Sequence, residues 1–139
     1  MKAKSVFILF SVFLFAACFR REQVLEIDVN TVKDLKAFRN TEKFNPDNDT
    51  LYPGAPSEII RFKLESKVNI TVDRIIIGLE KNPTKSFVLN ELKLLLSGFS
   101  EYDSEERDQV CFYCEYIMDI LGIESSDGIL NRWRYGKNY

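Results

Sequence analysis

Between residues 57 and 82 the apolar side chains Ile60, Leu64, Val68, Val72, Ile75 and Leu79 recur at steps of 4, 4, 4, 3 and 4, the spacing that lines one side of an α-helix. Ser57 supplies a cap after Pro56, and Asn82-Pro83 closes the run because a residue before proline avoids the helical region. The stretch 68–72 (V-N-I-T-V) also alternates like a strand. The helical steps hold over 20 residues with no turn signal, so helix is the reading. A helix this long must bury its apolar stripe, and a chain of 139 residues can do so by packing its other segments around it.

Those other segments read the same way. A helix over 31–44 is expected from Val32, Leu35 and Phe38, with Asn30 or Thr31 as cap, Asp34 completing a capping box and Asn45-Pro46 as the stop. Thr84 caps a helix over 85–97 with a stripe of Val88, Leu92, Leu95 and Leu96 before Gly98. A fourth runs over 104–121, acidic in its first turn, with Val110, Tyr113, Cys114, Ile117 and Leu121 as its buried stripe. A short last helix covers 127–135, capped from Ser125, Ser126 or Asp127 and stopped by Gly136. Residues 22–30 alternate partly and read as an extended tether or a docking strand. One strand has no partner, so no sheet is expected. The architecture expected is all-α, a compact bundle of four to five antiparallel-packed helices in one domain over 31–136.

Composition then excludes chemistry. The chain has no histidine, which removes Ser-His-Asp and Cys-His catalysis and His-ligated zinc. Of its 19 basic residues, Lys2 and Lys4 belong to the leader discussed next; the other 17 face 21 acidic ones. That balance argues against nucleic acid as a partner, which needs a basic face. No cofactor motif is present.

The leader begins Met-Lys-Ala-Lys and continues as an apolar run from Val6 to Ala17, interrupted only by Ser11. As helix that run is ~18 Å long, too short for a bilayer core of about 30 Å and the size of a signal-peptide apolar region. It ends Ala16-Ala17-Cys18, which resembles the lipobox of bacterial lipoproteins, with Phe15 where leucine is usual and Leu14 one place earlier. The resemblance implies a signal peptide over 1–17, a thiol of Cys18 carrying lipid such as palmitate, and a tether over 18–30. The partner it implies is a membrane of the bacterial cell envelope, with the domain facing the periplasm or exterior.

Three groups could carry chemistry. Cys111 and Cys114 form a C-x-x-C inside the fourth helix. Thioredoxin-type redox work needs a cysteine at a helix N-terminus, and zinc needs more ligands. A disulfide and a pair of small core residues are the remaining readings, and the pattern favours the core pair. Asp108, Glu115 and Asp119 fall within about 40° of one another on a helix, a carboxylate stripe suited either to solvent or to a basic partner. In the stretch 122–136, Trp133 with Arg132 and Arg134 reads as an anchor or a partner-binding patch. Glu124 and Asp127, beside Ser125 and Ser126, are the only arrangement resembling an acid/base site, and no base is visible for either serine.

The residues S-E-E-R-D (104–108), Y-I-M-D-I-L-G-I-E-S-S-D-G (116–128), Leu130-Asn131, Trp133 and Tyr135-Gly136, together with Tyr52-Pro53-Gly54, resemble the bacterial family of domain of unknown function 4844. The likeness spans roughly 52–136; the ending Lys137-Asn138-Tyr139 departs from it. It implies a helical domain and brings no catalytic residue. The function expected is a lipid-anchored envelope module that binds a protein partner, of inhibitor or immunity type. The alternatives are a small hydrolase using Glu124 and Asp127, or a structural envelope lipoprotein.

Overall fold

A computed structural model describes residues 22–136; the expected signal segment, Cys18 and residues 137–139 lie outside them. Five helices follow in order: α1 Val29–Asn40, α2 Glu58–Leu79, α3 Lys85–Ser97, α4 Ser104–Ile120 and α5 Ile129–Tyr135. Among the described residues there is no sheet, only two isolated β-bridges, Val24 with Thr84 and Asp47 with Tyr52. The long helix is present, and Leu64, Val68, Val72, Ile75 and Leu79 are its buried stripe.

Helices α1 to α4 form an up-and-down ring. Helix α1 packs on α2 and α4, α3 packs on the same two, and α5 lies across α3 and α4. Side-chain pairs establish the antiparallel register: Arg39 meets Asp73 and Lys43 meets Asn69, four residues forward on α1's strand of chain for four back on α2. Gly78 lets the Phe87 ring of α3 press directly on α2, since a Cβ there would stand 2.1 Å from that ring. Residues 22–25 dock at the α2–α3 turn: Leu25 N–H donates to Pro83 O, Lys85 N–H to Gln23 O and Ser86 N–H to a Glu22 carboxylate oxygen. The chain therefore enters the bundle at the end where α2 finishes and α3 starts.

Both ends of α1 and the start of α5 differ from the sequence expectation. Helix α1 starts at Val29 because Asp28 caps it, accepting from Thr31 N–H at 2.7 Å; Asn30 and Thr31 lie inside it. It stops at Asn40, short of Phe44. Thr41 folds back on Phe38 O, and the buried Lys43 turns its ammonium onto Phe38 O, Thr41 O and Asn69 Oδ1 at 2.8–2.9 Å. Phe38 O, which also accepts from Thr41 N–H, and Arg39 O, 3.3 Å from the ammonium, are carbonyls at the end of the helix, where the i+4 backbone partners are missing. Burial lowers the Lys43 pKa to about 8. Phe44 is then left-handed at φ 61° and fully buried, its ring among Tyr52, Phe99 and Tyr113 at centroid distances of 5.0–6.3 Å. Core packing of residues 43 and 44 overrides the helical continuation. Helix α5 starts at Ile129 rather than at 127, because Asp127 and Gly128 are both left-handed and successive left-handed residues cannot continue a right-handed helix.

Candidate functional site

Helix α4 presents more than its buried stripe. Val110, Cys114, Ile117 and Leu121 are in the core as expected, and Cys111 joins them, while Tyr113 is only half-buried. At 100° per residue Gln109, Tyr113, Tyr116 and Ile120 share a second face. That face meets the C-terminal half of α1 across a groove of about 420 Å³, closed at one end by the loop holding Asp47 and Thr50. Phe38 is the hinge of its floor, 5.9 Å from the Tyr113 ring and 5.0 Å from the Tyr116 ring. Phe112 forms one lip; Tyr116 and Phe112 are exposed.

The polar groups are few and placed. The buried Gln109 carboxamide oxygen accepts from the Thr50 hydroxyl at 3.5 Å, and Thr50 also donates to Asp47 at 3.0 Å. Tyr113 Oη accepts from Phe44 N–H at 2.8 Å, and burial pushes its phenol upward, so the ring is neutral at physiological pH. The charged side chains lining the groove, Asp34 and Asp47, are both acidic. An aromatic floor beneath carboxylates attracts a cation twice, through the ring faces and through the charges.

The stripe Asp108, Glu115 and Asp119 runs along α4 next to Phe112. Asp108 and Asp119 are exposed, whereas Glu115 binds Arg134 at 3.2 Å. Arg134 also stacks on Phe112 at 5.1 Å from the ring centroid, holding that lip from behind. Trp133 packs beneath the Arg107 guanidinium at 4.7 Å, and its indole N–H donates to Arg107 O. Trp133 and Arg134 thus fasten α5 to α4, while Arg132 is exposed and donates to Asp127 O. The structure joins Glu115 with Arg134 and leaves Trp133 on a different side of α4.

Glu124 is exposed, and Asp127 accepts from Lys85 Nζ at 2.9 Å, tying the 122–128 turn to α3. Ser125 Oγ accepts from Asp127 N–H and Ser126 Oγ from Leu130 N–H, so both serines serve turn geometry. Cys111 and Cys114 are buried thiols, and burial pushes Cys111 up to about 11 and Cys114 well above the usual thiol value. Thiols held that high are poor nucleophiles. Among the described residues no three His, Cys, Asp or Glu side chains gather to hold a metal ion, and no helix is long and apolar enough to cross a membrane.

Sequence reasoning missed the groove because its floor joins Phe38 to aromatics more than seventy residues later. A signal was available: Phe112, Tyr113 and Tyr116 crowd one helix, and only Tyr113 belongs to the expected stripe.

A family model described as domain of unknown function (DUF4844) matches residues 26–138. Among solved structures, the crystal structure of a DUF3571 family protein from Acinetobacter baumannii AYE is similar, at 35% sequence identity and a TM-score of 0.68, over 77% of this chain and 89% of that one. No curated protein matches the chain.

Proposed function

The chain belongs to the DUF4844 family, and from that premise we propose that it is a lipid-anchored module of the bacterial cell envelope that works by binding a protein, as an inhibitor or immunity-type partner does. The observation that carries the reading is the α1–α4 groove, with exposed aromatic side chains over an acidic rim. Its occupant is a segment both apolar and positively charged, an amphipathic basic helix or strand. Aromatic anchors supply most of the energy of such contacts, and the carboxylates select charge. The anchor is Cys18, joined by three residues to the Glu22 end of the bundle.

Two measurements test it. Labelled palmitate is incorporated into the protein and not into a Cys18→Ser variant. A fluorescent lysine-rich amphipathic peptide binds, Tyr116→Ala weakens it roughly tenfold, the cost of one aromatic anchor, and Asp34→Asn with Asp47→Asn removes its salt dependence. Equal binding of an acidic peptide of the same apolar pattern, or binding indifferent to Tyr116, refutes the groove; failure of labelling refutes the anchor.

A further inference from the structure

Helix α2 carries a second apolar row, opposite the one that builds the core. Ile59, Phe62, Ile70 and Ile77 are exposed by 82%, 59%, 55% and 69%, and Leu94 of α3, exposed by 55%, extends the patch. At 100° per residue the four α2 side chains lie within about 80° of one another, with Ser66 and Asp73 filling the remaining positions of the seam. Together these five side chains expose on the order of 600 Å² per copy, the upper end of what a monomer ordinarily shows. Full coverage of these side chains by a second copy buries at most ~1,200 Å² over the pair, the threshold of a specific interface.

The flanks of the row carry opposite charge. By helical position Lys63, Lys67 and Arg74 lie on the α3 side and Glu58 and Glu65 on the α1 side, while Asp73, within the seam, is paired with Arg39. A two-fold axis parallel to α2 sets the basic flank of one copy against the acidic flank of the other. A two-fold axis across α2 sets like against like. In the middle of the row Asp73 already meets Arg39 and Arg74 meets Glu91, and Glu65 is turned onto Arg61, so the charges that choose orientation are at the N-terminal end, where Glu58, 73% exposed beside Arg61, faces the partner's flank and Lys63 is exposed. Flanking charges choose orientation in this way in coiled coils.

We infer that this face is a homodimer interface in which the α2 helices of two copies pack side by side and parallel, each of Ile59, Ile70 and Ile77 meeting its own counterpart. The interface is distinct from the α1–α4 groove and leaves it open. A parallel pair also brings both Glu22 ends to the same end of the dimer, as two chains held at one membrane surface require.

Variants of the full chain that each add one cysteine test this under mild oxidation, with the parent chain run alongside to show any cross-link through Cys18; the native Cys111 and Cys114 are buried. Ile59→Cys and Ile77→Cys each give a covalent dimer on their own. Adding Ile70→Glu lowers the Ile59→Cys yield by roughly tenfold, the loss of one interface anchor. Glu58→Lys and Lys63→Glu each lower it, and the two together restore it. Cross-linking only when the Ile59→Cys and Ile77→Cys proteins are mixed overturns the parallel arrangement. No cross-link at any row position, or an equal yield at the exposed Leu51→Cys, overturns the interface.

Discussion

Replacing Phe44 separates two effects that the structure superimposes at one residue. Its ring is fully buried in the cluster of Tyr52, Phe99 and Tyr113, yet its backbone is left-handed at φ 61°. Phe44→Ala removes a buried ring and leaves a cavity, at about 3–5 kcal/mol. Alanine keeps the Cβ that makes the left-handed region unfavourable by ~1–2 kcal/mol, whereas glycine does not. Glycine ordinarily costs about 0.5–1 kcal/mol more than alanine through the freedom of the unfolded chain. Here the two terms oppose, and the larger predicts Phe44→Gly to be more stable than Phe44→Ala by ~0.5–1 kcal/mol. The assay is urea unfolding of the wild type and both variants followed by circular dichroism. With a slope of ~1–2 kcal/mol per molar, both midpoints fall by about 1.5–5 M, glycine's less. Should the glycine variant prove the weaker of the two, the left-handed turn is not what holds residue 44 in solution, and the account of why α1 stops early fails with it.

Three further outcomes are expected. Gly78→Ala, which in an open helix adds about 1 kcal/mol of stability, instead destabilises by ~1–3 kcal/mol because its methyl collides with Phe87; in a Phe87→Ala background the loss shrinks or reverses, read as a double-mutant cycle in urea. The raised thiol pKa of Cys111 means the unfolded chain ionises first, near pH 9, so its contribution is whole below that and is lost as pH rises toward about 11. Lys43, with its pKa lowered, works in the opposite direction between about 8 and 10.5, but it cancels when wild type and Cys111→Ala are compared at each pH. The cost of Cys111→Ala accordingly falls by ~2 kcal/mol between pH 8 and 10.5, and an unchanged cost removes the burial argument. Trp133→Ala frees α5 from Arg107 and speeds amide exchange over residues 129–135 with little change in α2, whereas Trp133→Phe keeps part of the protection.

The helices themselves were legible because each writes its apolar stripe locally. The steps from Ile60 to Leu79, the caps Ser57 and Thr84, and the stops at Gly98 and Gly136 need no knowledge of neighbours. The all-α class followed from the same local facts. Tertiary structure decided what happens where local preference and core packing compete. Lys43 and Phe44 left the helix because one satisfies its terminal carbonyls and the other fills an aromatic cluster drawn from α4 and two loops. The groove belongs to the same kind of fact. Phe38 and Tyr116 each look like ordinary apolar residues of a helix, and only the packing of α1 on α4 brings the rings within 5.0 Å and leaves one side of them uncovered. Periodicity records which side of a helix turns inward; whether a second apolar side is covered depends on what packs beside it, and that is a property of the assembled bundle.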